Sequence, residues 1–260
     1  MLFIGKRNFV IFLKRLIDIN NILSVYNFFK IHTNPIKSIF DEIFSTGRYP
    51  RTINFKTNLG LQKIRLYTFN DFSTFNLVFC RKDYFFQNNF KIILDIGSNI
   101  GVSALYWLTK NRNTIVYCYE PSSINFVKLQ DNLKYFKKRA FLYKKAVSDK
   151  NFSANLILDK SGIYSSLKKK NVHTIIGKEK CKVVDINSCI KNIIKKHKRI
   201  DMVKIDNEGE EINTLKKINK KYLKLITCFN IDYPSSINIK KISSIYNIYR
   251  HSSSLQLKKK

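Results

Sequence analysis

Apolar and polar positions change rhythm near residue 90. From Lys91 onward, short apolar runs alternate with stretches whose apolar residues recur every three or four positions. Ile92–Ile96 is apolar except for Asp95, a pattern that suits a strand covered on both faces of a parallel sheet. Ile100–Lys110 follows as a predicted helix and Thr114–Tyr119 as a strand rich in β-branched and aromatic residues. Ser122–Phe136 is a second helix, with Phe126, Leu129, Leu133 and Phe136 on one face. Phe141–Val147 is a third predicted strand, and Ala154–Leu158 and Lys182–Ile186 are strand-like within a less regular stretch. Asp201–Ile205, a helix from about Glu210 to Ile218, and Lys224–Ile231 complete the series. This alternation predicts an α/β fold: a doubly wound, mostly parallel sheet with helices on both faces. Ligands of such sheets lie beyond the carboxyl ends of the strands.

The residues before this series read differently. Gly47-Arg48-Tyr49-Pro50 is a turn signal, and Asp71-Phe72-Ser73-Thr74 is expected to cap a helix running to about Arg81. The expected organisation is an N-terminal extension over 1–87, helical with short strands, a core over 88–235, and a basic tail or terminal helix over 236–260. Met1–Phe29 is apolar but broken by Lys6, Arg7, Lys14, Arg15 and Asp18, which argues against a secretory signal. It is expected to pack on the core, with a basic amphipathic helix lying on a membrane surface as the alternative.

Charge changes the picture less than its size suggests. The chain carries 48 Lys and Arg against 18 Asp and Glu, a net +30, which points toward nucleic acid or an anionic membrane. The excess falls in short polar clusters such as Lys137-Lys138-Arg139 and Lys168-Lys169-Lys170. These read as solvated loops and helix ends, so nucleic acid is not the favoured partner. Cysteines 80, 118, 181, 189 and 228 form no Cys-x-x-Cys pair, which fits a reducing cytoplasm. The four His lack metal-ligand spacing, and no metal is expected.

Candidate chemistry sits at the strand tips. The first strand runs into Asp95-Ile96-Gly97-Ser98-Asn99-Ile100-Gly101, where glycines allow a tight turn and close approach of a ligand. Asn99 stands where the dinucleotide fingerprint has its second Gly, which argues against NAD or FAD. The second strand ends at Glu120-Pro121. A carboxylate there either accepts both ribose hydroxyls of an adenosine or simply complements a helix N-terminus. The fourth strand ends in Asp206-Asn207-Glu208-Gly209-Glu210-Glu211. These acids either orient an acceptor hydroxyl and take its proton or cap the next helix. Lys204, inside a buried strand, needs a partner, and Glu208 or Glu211 is expected to supply it.

With Asn125, Ala146-Val147-Ser148-Asp149 and Lys204-Ile205-Asp206 added, the chain resembles the FkbM family of S-adenosylmethionine-dependent methyltransferases over about residues 45–235. The resemblance implies a Rossmann-like class I methyltransferase core, S-adenosyl-L-methionine as cofactor, and O-methylation of a hydroxyl on a sugar, glycan or other small metabolite. It implies that Asp95, Gly97 and Gly101, with Ser98 and Asn99 in the same loop, shape the methionine end. Glu120 would hold the ribose, Ser148 and Asp149 would lie near the adenine, and Asp206 and Glu208 would be the catalytic or acceptor-side residues. Two departures stand out. Lys217 occupies a position where the family usually has Gly, and 25 residues follow Ser235, so the closing strand pair is expected to be short or missing. The alternatives are a nucleic-acid methyltransferase, although an Asn-Pro-Pro-Tyr signature is lacking, and a cofactor-binding domain without activity. The expected location is the cytoplasm, with peripheral contact at the inner membrane surface through residues 1–30 as the alternative.

Overall fold

The computed structural model describes residues 3–4, 7–8, 19–44, 46–84, 86–232, 240–250 and 254–260. The segment 9–18, within the stretch expected to pack on the core with a membrane-surface helix as the alternative, lies outside the described residues. The chain divides into two units, Met1–Tyr84 and Phe85–Lys260. Among the described residues no helix is long and apolar enough to cross a membrane.

The first unit opens with the two-residue strands β1 (Phe3–Ile4) and β2 (Arg7–Asn8), which pair antiparallel. Helices α1 (Ile19–Ile31) and α2 (Pro35–Phe44) follow, then the hairpin β3 (Arg51–Thr57) and β4 (Gly60–Leu66), and α3 (Phe69–Asn76). Thr68 caps α3, earlier than the expected Asp71 or Ser73. The Thr68 hydroxyl accepts from the Asp71 amide at 3.1 Å, and Asp71 Oδ2 accepts from the Thr68 amide at 2.9 Å. This reciprocal box satisfies two orphan donors at once and so outcompetes a single cap. A π-helical turn, Leu77–Arg81, extends α3 to Lys82. Phe55, Phe72, Phe75 and Phe79 form the buried aromatic centre of this unit.

The second unit contains the predicted alternation. β5 (Ile92–Ile96), α4 (Val102–Lys110), β6 (Ile115–Tyr119), α5 (Ser123–Leu133) and β7 (Ala140–Tyr143) come first. The expected third strand does not run on to Val147. The Tyr143 carbonyl accepts from both the Lys145 and Glu120 amides, so the chain turns there. The next strand, β8 (Ala146–Ser148), joins a separate small sheet with β9 (Phe152–Asp159) and β10 (Ile175–Asp185), in the order β8-β10-β9.

Ile186 starts a helix that the sequence reading missed, α6 (Ile186–His197). It is capped by Asp185, whose carboxylate accepts from the Ser188 amide at 3.0 Å. Its signal is present in the spacing of Ile186, Cys189, Ile190 and Ile193, all of which are buried. Then come β11 (Ile200–Ile205), α7 (Glu211–Lys217), α8 (Lys220–Leu223), β12 (Ile226–Asp232), α9 (Lys240–Ser243), β13 (Tyr246–Arg250) and β14 (Ser254–Lys259).

The main sheet has the order β13-β14-β12-β11-β5-β6-β7. Its five strands from β12 to β7 are parallel, and β14 and β13 are antiparallel. Alternation within β5 assigns the two faces. Leu94 and Ile96 join the apolar core made with α6, α7 and α8, while Asp95 accepts from Ser103 of α4 at 2.8 Å.

One expectation is corrected here. The closing strand pair is present, in place of a basic tail or terminal helix. Leu255 and Leu257 alternate inward on β14, and the Tyr246 hydroxyl is buried against the Leu223 and Ile226 carbonyls. A period of two with alternate residues buried is a strand signal, which the dense lysines had masked. Lys217 also leaves a defined helix end. Ile218 is extended and buried, and the Asn187 amide group donates to the Lys217 carbonyl at 3.1 Å and accepts from the Asn219 amide at 2.8 Å. The side chain does what a C-terminal glycine would otherwise do.

Candidate functional site

The loop after β5 is shaped by what crowds it. Gly97 has φ +76, and a Cβ there would stand 1.7 Å from the Asp206 carbonyl oxygen, so no side chain fits. The Gly97 and Ser98 amides both donate to the Tyr119 carbonyl at 3.0 Å, pinning the loop to the tip of β6. Asn99, at φ +48, turns its amide onto Glu120 Oε2 at 2.8 Å. The second oxygen of Glu120 accepts from the Ser122 amide at 2.9 Å. Glu120 is 5% exposed. Burial outweighs these two hydrogen bonds and the nearby Lys204 ammonium, raising its pKa to about 7.

Beneath the loop lies the Lys204 ammonium, with its side chain 3% exposed. It donates to the Gly97 carbonyl at 2.7 Å, pairs with Asp206 Oδ2 at 2.9 Å, and stands 3.5 Å from Asp95 Oδ1. Its partners are therefore Asp95 and Asp206 rather than the expected Glu208 or Glu211. Parity decides this: Asp95 is the direct neighbour of Lys204 in the β5–β11 register and shares its face of the sheet.

The turn between β11 and α7 gives its acids different tasks. Glu211 accepts from the Asn207 and Gly209 amides at 3.1 and 2.9 Å and so braces the turn. Asn207 donates to the Val147 carbonyl at 2.9 Å. Glu208, at φ +51, has its carbonyl held by Ser166 and Asn171, each at 2.6 Å. Burial, then Asp206, Glu211 and Asp232, raise the Glu208 carboxyl to about 8, against the lowering pull of Lys204.

A cleft opens at this end of the sheet. Of the sequence-predicted site residues, Gly97, Asn99, Glu120, Asp206 and Glu208 line it. The others do not. Asp95 is fully buried beneath the loop, and Ser98 donates to the Asp95 carbonyl at 3.0 Å. Gly101 packs toward α5, where a Cβ would stand 2.8 Å from Leu129 Cδ1. Ser148 is buried, with its hydroxyl shared between Asp149 and Glu210. Lys145, Ala146 and Val147 of that segment form the wall in place of Ser148 and Asp149. The break after Tyr143 shifts which residues face the cleft.

Sequence reasoning also missed the strap between β9 and β10. Gly162, Ile163, Ser165, Ser166 and Leu167 line the cleft. The strap is tied across it, with Asn125 donating to the Gly162 carbonyl at 2.6 Å and Ser166 and Asn171 to Glu208. Its sequence offered a turn glycine and a lysine cluster, neither of which signals a wall.

Residues 95–232 match the family model of the methyltransferase FkbM domain. No curated protein matches the chain. Among solved structures, the chain is similar to a methyltransferase FkbM from Methylobacillus flagellatus KT, at 17% identity and a TM-score of 0.48, over 70% of this chain and 47% of that one. It is also similar to TrmK from M. capricolum in complex with S-adenosyl-homocysteine, at 15% identity and a TM-score of 0.37, over 66% of this chain and 63% of that one. The chain thus spans about half the length of the first and less than two thirds of the second.

Proposed function

Starting from a chain that belongs to the FkbM methyltransferase domain family, we propose that it transfers the methyl group of S-adenosyl-L-methionine to an acceptor hydroxyl on a sugar, glycan or other small metabolite. The observation that carries this reading is Glu120. Each of its oxygens accepts one backbone amide, and a carboxylate oxygen has a second lone pair to offer. Two adjacent acceptor positions facing a cleft fit the vicinal hydroxyls of a ribose. Gly97 leaves the neighbouring wall bare for close approach. The residues present therefore fit the donor: Glu120 for its sugar, Gly97 and Asn99 for the part beside it, and Lys145, Ala146 and Val147 for the wall beyond.

When bound, the donor supplies a methyl on a sulfonium, already a good leaving group, so positioning provides most of the rate. The protein's share is to hold the acceptor and manage its proton. Asp206 is anchored by Lys204 and suits orientation. Glu208, whose carboxyl titrates near neutrality, suits taking the proton. The five cysteines are free and buried, which suits the cytoplasm.

Isothermal titration of the full chain with S-adenosylmethionine and S-adenosylhomocysteine is the direct test. Saturable binding of either, together with labelled-methyl incorporation into a carbohydrate acceptor, is the expected result. If neither molecule binds, the assignment fails.

A further inference from the structure

In the second unit the acidic side chains gather at one end, whereas exposed lysines stand at both. Asp131 is paired with Lys134 at 2.9 Å, and Asp201 is buried, accepting from the Lys91 and Ile92 amides. The other Asp and Glu residues of this unit lie at the carboxyl ends of the parallel strands or in the small sheet beside them. The opposite rim is where the chain enters the parallel strands. Lys91, Arg112, Lys137 and Lys198 stand in the turns before β5, β6, β7 and β11, and Lys220 opens the short helix α8 before β12; each is exposed. Lys138 and Lys221 add to two of these connections. The antiparallel course of β14 returns Lys259 to the same rim, where its ammonium donates to the Lys224 carbonyl at 2.7 Å.

Helix capping explains a cation at a helix end, as at Lys198, the C-cap of α6, but it does not explain every member of the rim. Lys137 and Lys138 follow a 3-10 turn, and Lys220 and Lys221 open α8, at the end where helix electrostatics favours anions. Exposed apolar side chains accompany the lysines. Tyr135 is 68% exposed, two residues before Lys137, and Leu225 is 40% exposed, beside Lys224. Exposed lysines interleaved with Tyr and Leu match an anionic bilayer surface, where ammonium groups meet headgroups and the larger side chains enter the interface. Nucleic-acid channels instead favour Arg forks and stacking platforms in a groove. Here the Arg139 guanidinium is committed to the Leu108, Asn111 and Thr114 carbonyls.

We propose that this rim docks the protein on an anionic lipid surface, leaving the cleft at the other end of the strands turned toward water. The inference stands apart from the methyl-transfer reading, because it uses none of the cleft residues.

The test is co-sedimentation of the full chain with vesicles of phosphatidylcholine alone, and of two parts phosphatidylcholine to one part phosphatidylglycerol. A rim variant carries Lys137→Glu, Lys138→Glu, Lys220→Glu and Lys221→Glu. A control with the same charge change carries Lys160→Glu, Lys178→Glu, Lys180→Glu and Lys182→Glu, all exposed on or beside the β9–β10 hairpin. The parent should sediment with the anionic vesicles alone and be released by high salt. The rim variant should lose affinity on the order of a hundredfold, and the control far less. Lys→Gln at the same four rim positions is read in the same way if charge reversal lowers the melting temperature. Three results overturn the proposal: equal loss in rim and control variants, which reduces it to net charge; absence of binding to anionic vesicles; or rim-dependent binding of a duplex RNA with none to vesicles.

Discussion

At the residue scale, the placement of Glu120 and Gly97 at the cleft was readable from sequence because it follows from position at a strand tip. Glu120 leads to a pH prediction. Binding a diol needs the ionised carboxylate as acceptor, and the buried carboxyl titrates near 7. Donor affinity should therefore rise from pH 6 to pH 8 and then level off. In Glu120→Gln this dependence should vanish, with affinity at pH 8 lower by roughly a hundredfold, the worth of one or two hydrogen bonds to a charged acceptor. Calorimetric titration across that range decides it. Glu208→Gln should leave donor affinity unchanged and slow methyl transfer by about a hundredfold, a typical general-base contribution; single-turnover rates measure this directly. For Gly97→Ala the positive φ and the Asp206 carbonyl act together. The expected cost is about 3 kcal/mol or more, seen as a fall in the denaturation midpoint. The roles of Ser98, Gly101, Ser148 and Asp149 were less legible. Sequence gives their distance from a strand end but not which side of the turn they face.

At the element scale, the site is built where separate segments are tied together. Lys204 joins the loop after β5 to the turn after β11 through Gly97, Asp95 and Asp206. Removing the ammonium strands the Asp95 carboxylate, whose pKa burial already raises. Lys204→Met should cost about 3–5 kcal/mol, and adding Asp95→Asn should restore much of it, since an apolar or neutral pair avoids an uncompensated buried charge. A double-mutant cycle from urea unfolding tests both statements; additive losses would refute the coupling. The motif containing Lys204 was visible in the sequence. Its partners were not, because pairing across neighbouring strands depends on register. The strap over 160–174 was invisible as a wall for a related reason: its polar, irregular sequence acquires meaning only where Ser166, Asn171 and Asn125 tie it down.

At the scale of the whole molecule, stability should depend on pH in the direction opposite to that of a protein held by surface carboxylate pairs. Glu120 and Glu208 would lose their protons near 4.5 in the unfolded chain but keep them to about 7 and 8 when folded. Between those values the folded state binds more protons, so stability falls as pH rises, by on the order of 3 kcal/mol for Glu120 alone. Ligand-free melting temperatures should decline from pH 5 to pH 8 and decline less in Glu120→Gln. The sequence by itself determined the alternating α/β order, the glycine loop, the acid at the second strand tip and the acidic turn after β11, because backbone conformation and hydrophobic period are local properties. It did not determine the closing strands, the small sheet, the partners of Lys204 or the side to which the rim lysines turn. Those depend on pairing between distant segments, on register, and on the common direction of the parallel strands. That shared direction gathers turns far apart in sequence onto one rim and leaves the cleft at the other.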